Sequence, residues 1–100
     1  MASASSIPVG QALTLNDPSF GPMLLIHLTN GQFVAYSAIC THAGCTVQFN
    51  VHAQEIACPC HGAVFDPNNQ AQVLAGPAPY PLREIGIRYD ETSGHIYLQS

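Results

Sequence analysis

The run Met23-Leu24-Leu25-Ile26-His27-Leu28-Thr29-Asn30-Gly31-Gln32-Phe33-Val34-Ala35-Tyr36-Ser37 decides the fold class. Asn-Gly between two apolar segments is the strongest short-range hairpin signal, and its type I′ turn needs positive φ at both central residues. Strands are therefore expected over residues 23–29 and 32–37. Working toward the N-terminus, apolar positions alternate from Ile7 to Leu15 and stop at the turn-forming Asn16-Asp17-Pro18. Working toward the C-terminus, Val47 to Val51 and Glu55 to Cys58 read as a second pair joined near His52-Ala53-Gln54. Gln70 to Leu74 is a weaker strand. Glu84 to Tyr89 puts Ile85, Ile87 and Tyr89 on one face, and His95 to Gln99 does the same for Ile96 and Leu98 after a turn over residues 91–94. No window holds a helical period over the roughly 11 residues needed to assign a helix. The expected fold is all-β: one domain, 1–100, of short antiparallel strands in a sandwich or open barrel.

Composition removes several function classes. The chain has 100 residues, 47% of them hydrophobic, so it is not a disordered segment. No apolar run is longer than that of Met23 to Ile26, far below the roughly 20 residues a membrane span needs. Arg83 and Arg88 are the only basic residues, there is no lysine, and the formal charge is −4. That balance argues against nucleic acid as a partner and against a polybasic membrane-surface module. Met1 to Ser6 has neither the basic nor the apolar region of a signal peptide.

The chemistry concentrates in two short boxes. All four cysteines fall between Cys40 and Cys60. The first box is Cys40-Thr41-His42-Ala43-Gly44-Cys45 and the second is Cys58-Pro59-Cys60-His61-Gly62. Each holds two Cys and one His, and each follows an expected strand, so both are loops able to wrap a metal. Thiolates and imidazoles suit zinc or iron–sulfur chemistry, not calcium or magnesium. Two S and two N donors alone would make a plausible structural zinc site. The extra cysteine in each box counts against it, because six potential ligands are two too many for one tetrahedral zinc. A [2Fe–2S] cluster with two Cys on one iron and two His on the other uses four of the six and leaves a pair able to form a disulfide. His27, His52 and His95 lack a ligand-spaced partner and read as a strand residue, a turn-tip residue and the opening of the last strand.

These boxes resemble the Rieske iron–sulfur family, whose pattern is Cys-x-His-x-Gly-Cys, a gap, then Cys-x-Cys-His-Gly. Cys40, His42, Gly44 and Cys45 match the first part, and Cys58, Cys60, His61 and Gly62 the second, with fifteen residues between His42 and Cys58. The resemblance implies that Cys40 and Cys58 ligate one iron, that His42 and His61 ligate the other, and that Cys45 and Cys60 form a disulfide. It also implies loops over about 40–46 and 58–66, and a cluster-covering Pro loop at about 76–81. The implied fold is an antiparallel β base domain carrying the two loops as an inserted subdomain.

The implied activity is one-electron transfer through one [2Fe–2S] cluster, as a soluble carrier or as the domain of a respiratory or redox complex, with no catalytic residue in the chain itself. The implied partner is a cytochrome, an oxidoreductase subunit or a quinol. Family members with the disulfide are the quinol-oxidising and arsenite-oxidase-like, high-potential type. The disulfide favours the periplasmic or another extracytoplasmic side. A quinol-oxidising subunit of this kind is also expected to carry a membrane anchor, which this sequence does not contain. The alternatives are a lower-potential ferredoxin of an oxygenase system, which lacks the disulfide, and a structural zinc module.

One departure concerns the potential. In cytochrome bc-type members a Ser follows the His-Gly of the second box and a Tyr comes two residues later, and their hydroxyls hydrogen-bond to cluster sulfurs. Here those positions are Ala63 and Phe65. A potential below the bc-type but above the ferredoxin type is expected, inside the window of roughly −150 to +300 mV. Neutral imidazoles make the oxidised centre neutral overall, so adding an electron costs less than it does with four thiolates. Reduction favours imidazole protonation, so the potential should fall with pH once the oxidised histidines deprotonate.

Overall fold

The computed structural model describes residues 2–3, 6–18, 21–39, 45–60, 62–76, 80–90 and 92–98. Among them there is no α-helix, and no helix is long and apolar enough to cross a membrane. The described residues form ten strands in three antiparallel sheets: β1 (Ala2–Ser3), β10 (His95–Leu98) and β9 (Ile87–Asp90) in that spatial order; β2 (Ala12–Asp17), β3 (Gly21–His27) and β4 (Phe33–Ser37); and β5 (Gln48–Asn50), β6 (Glu55–Ala57), β7 (Val64–Asp66) and β8 (Gln72–Ala75).

The β3 strand explains the layering. Met23, Leu24, Leu25 and Ile26 are all buried. Successive strand side chains point to opposite faces, so such a run needs cover on both sides. Leu24 and Ile26 join Tyr36, Ala38, Val47, Ile56, Cys58, Ala63, Phe65 and Leu82 in one core. Met23 and Leu25 join Ile7, Ala35, Ile85 and Ile96 in the other. The β2–β3–β4 sheet thus separates two apolar cores. One underlies β9 and β10; the other supports the β5–β8 sheet and Cys58.

The expected hairpin at Asn30-Gly31 forms, with His27 opposite Phe33, but its turn is not type I′. Gly31 has φ of 93° whereas Asn30 is not in the positive-φ region. The Gly31 amide donates to the Leu28 carbonyl (2.9 Å) and the Leu28 amide to the Gln32 carbonyl (2.8 Å). This is a three-residue loop, a type I turn followed by a left-handed glycine. Asn30 acts through its side chain, whose Oδ1 accepts from the Gln32 amide at 2.9 Å.

Other boundaries move. The expected turn at Asn16-Asp17-Pro18 starts later, because Asn16 and Asp17 still pair with Pro22 and Gly21. Residues 7–10 lie before the strand, and the Gly10 amide donates to the His27 carbonyl. The opening segment, to which the sequence assigns no strand, contributes β1, with Ala2 opposite Ile96. The β7 strand falls inside the stretch read as cluster loop; three residues are too few to show a period. β9 begins at Ile87, and Glu84 instead bridges to Tyr36.

Candidate metal centre

The residues flanking each box are paired with one another. Ile39 bridges to Thr46, and the Val47 amide donates to the Ala38 carbonyl at 2.7 Å, which brings together the two ends of the 40–45 loop. For the second box, Ala57 pairs with Val64 and the Cys58 amide donates to the Ala63 carbonyl at 2.7 Å. The Gly62 amide then returns to the Cys58 carbonyl at 3.1 Å.

The two loops are tied by a disulfide between Cys45 and Cys60, with Cα atoms 6.5 Å apart. This is the pair implied by the sequence resemblance. Cys58 keeps its thiol outside that bond and is buried, with 1% of its surface exposed. The three sulfurs of Cys45, Cys58 and Cys60 all lie within 4.8 Å of one another. Two of them are committed to the disulfide, so among these three only Cys58 can give a metal a thiolate. Cys40, His42 and His61 lie outside the described residues, as do residues 77–79 of the expected Pro loop. A buried thiol beside a loop-linking disulfide suits a soft metal held by sulfur, and fits a [2Fe–2S] group better than an oxygen-seeking cation.

The floor of the site is apolar. Ala63 and Phe65 are fully buried, and with Cys58 they belong to the core beneath the loops. Neither brings a hydroxyl to that face. Gly76, where the expected Pro loop begins, packs directly on the second box, with φ of 88° and Ala63 and Gly62 as its nearest neighbours. Tyr80, beyond it, is 68% exposed.

Nothing in residue spacing marked Tyr36 as a support of the site. Its hydroxyl donates to the Pro67 carbonyl at 2.9 Å, clamping β4 to the turn after β7. Its pKa is pushed up to about 12, first by burial and then by the Glu84 and Asp66 charges, against an opposing amide hydrogen bond from Ala71. The other histidines are accounted for by structure. His27 Nδ1 bonds the Ile7 carbonyl at 2.8 Å and its ring stacks on Phe33, His52 sits in an exposed turn, and His95 opens β10.

Comparison with known proteins gives a consistent answer. The profile of the Rieske [2Fe-2S] domain family matches residues 2–86. The chain is 34% identical over 90 residues to the cytochrome b6-f complex iron-sulfur subunit of Chlorobaculum tepidum, covering 88% of this chain and 46% of that one. It is 43% identical over 63 residues to the chloroplastic iron-sulfur subunit 1 of the same complex in Nicotiana tabacum, covering 61% of this chain and 27% of that one. The chain thus spans less than half the length of either relative. Among solved structures, the plasma membrane Rieske protein of the cyanobacterium Synechocystis PCC 6803 superposes with a TM-score of 0.75 at 31% identity, over 89% of this chain and 86% of that one. The ferredoxin of carbazole 1,9a-dioxygenase from Nocardioides aromaticivorans shares the fold, with a TM-score of 0.74 at 22% identity over 97% and 91% of the two chains.

Proposed function

Because the chain belongs to the Rieske [2Fe-2S] domain family, we propose that it is a high-potential one-electron carrier that works as part of a quinol-oxidising redox complex. When bound, the cluster takes up and returns a single electron. Cys40 and Cys58 would hold one iron through thiolates, and His42 and His61 would hold the other through imidazoles. Cys45 and Cys60 cross-link the two boxes and would restrain the spacing between their ligands. The apolar floor of Ala63 and Phe65 keeps water from the sulfur side.

The observation that carries the reading is the Cys45–Cys60 disulfide with the buried Cys58 thiol beside it. The disulfide is the feature that, in the family pattern, separates the high-potential type from the oxygenase ferredoxins. Relatives named as cytochrome b6-f complex iron-sulfur subunits support a place as the subunit of a redox complex; in this reading quinol is the donor and a redox protein the acceptor. A disulfide of this kind also supports the periplasmic or an equivalent oxidising side.

The test is the EPR spectrum of the purified brown protein after adding ascorbate. A rhombic signal with the low average g of mixed Cys/His ligation is expected. A signal that needs dithionite would replace this reading with a ferredoxin-like role. A colourless, EPR-silent protein containing zinc would end the electron-carrier reading altogether.

A further inference from the structure

The sulfur cluster at the loop junction contains more reactivity than a passive cross-link. A thiol and a disulfide lie within 4.8 Å, the thiol at Cys58 and the disulfide at Cys45–Cys60. Thiol–disulfide exchange needs the thiol as its thiolate and an approach to a disulfide sulfur nearly along the S–S axis, so Cys58 must turn out of its buried position to react. Holding the two in one pocket makes that encounter intramolecular, which strongly favours it over attack from another chain.

We propose that in the chain without its cluster Cys58 attacks the Cys45 sulfur, forming Cys45–Cys58 and releasing Cys60, so that cluster occupancy and disulfide pairing control one another. This rests on the reading above that Cys58 is a cluster ligand. The step is balanced: one S–S bond breaks, one forms, the proton lost by Cys58 ends on Cys60, and nothing is oxidised or reduced overall. Attack on the Cys60 sulfur is disfavoured because it would close a disulfide across the single residue Pro59, whose fixed φ resists the torsion such a bond requires.

The two isomers differ in ways a partner or reagent can sense. Cys58 is buried, whereas Cys60 is exposed. Exchange therefore turns a hidden thiol into an accessible one and removes a ligand from the site. A chain caught in the exchanged form cannot accept a cluster until Cys60 attacks back. Conversely, metal bound to Cys58 withdraws the nucleophile and locks the Cys45–Cys60 pairing.

The experiment compares the full chain with and without cluster, in native buffer free of added thiols. Samples are quenched in acid at intervals, alkylated in denaturant and mapped by tandem mass spectrometry, with circular dichroism recording the fold. The cluster-free chain should lose the Cys45–Cys60 linkage in favour of Cys45–Cys58, with alkylated Cys60 appearing in step. The holoprotein and the cluster-free Cys58→Ser variant should retain Cys45–Cys60. Retention of Cys45–Cys60 alone in the cluster-free parent overturns the proposal. So does equal exchange in Cys58→Ser, or an even mixture of isomers that includes Cys40, which marks exchange in an unfolded chain. Failure of the ligand reading itself looks different: the Cys58→Ser chain would then take up iron and sulfide with the colour and EPR signal of the parent.

Discussion

Gly76 and Ala63 touch backbone to backbone: a Cβ on Gly76 would lie 2.5 Å from the Ala63 Cα, 2.9 Å from its amide nitrogen and 3.0 Å from the Gly62 carbonyl oxygen. The start of the third loop is thereby seated on the second cysteine–histidine box. No side chain fits between them, and at φ of 88° a side chain is strained even where there is room.

Gly76→Ala should therefore destabilise the protein by about 2–4 kcal/mol and loosen the cluster. Gly31 is the control. Its φ is 93° but nothing lies within 4 Å of its added Cβ, so Gly31→Ala should cost only about 1 kcal/mol. Urea midpoints of the two variants check this. Equal losses would mean that φ alone, and not the Ala63 contact, decides the cost.

Removing both disulfide cysteines, Cys45→Ser with Cys60→Ser, avoids leaving one half of the bridge behind as a new thiol. The bridge spans a sequence separation of 15. Its loss should lower unfolding free energy by about 3 kcal/mol, since a bridge of that span restricts the unfolded chain by roughly that much. Denaturant titration gives the number, and the brown colour should fade faster on heating. An unchanged midpoint would show that strand pairing at Ile39–Thr46 and Ala57–Val64 already holds the loops.

Ala63→Ser places a hydroxyl on the buried floor next to Cys58. A hydrogen bond to a cluster sulfur stabilises the more negative, reduced state. With a net worth near 1 kcal/mol, it should raise the potential by on the order of 50 mV. Phe65→Tyr should move it the same way. Protein-film voltammetry measures both. A shift to lower potential in either variant would contradict the expectation that these positions face the sulfurs.

Alkaline pH should unfold the protein through Tyr36. Its pKa rises from 10.0 in the unfolded chain to about 12 in the fold, so between those values the native state binds more protons than the unfolded state. Stability is then full below pH 10 and falls as pH rises toward 12, by about 3 kcal/mol in all. Tyr36→Phe should lose about 1 kcal/mol at neutral pH, for the missing bond to the Pro67 carbonyl, and show a flatter profile above pH 10. Parallel profiles for the two proteins would remove Tyr36 as the cause.

The family was legible from the sequence alone, because Cys40, His42 and Cys45, then Cys58, Cys60 and His61, form a pattern of residue type and spacing that is local. The β class was legible too, since alternation along Glu84 to Tyr89 and the apolar run at Met23 to Ile26 are properties of single strands. Strand ends were not. Asn16 and Asp17 look like turn residues but pair across to Pro22 and Gly21, since a partner strand supplies the hydrogen bonds their propensities do not predict. Val64–Asp66 is too short to show a period and becomes a strand only because Ile56 and Val73 flank it. The turn at Thr29 to Gly31 takes its type from the register of His27 with Phe33, not from Asn-Gly in isolation. Only the tertiary structure decided that β3 separates two cores, that Tyr36 clamps the turn after β7, that Gly76 rests on Ala63, and that Cys58 lies beside the Cys45–Cys60 bond. Each of these joins residues distant in sequence, and contact at that range depends on how whole sheets pack, which no local pattern encodes.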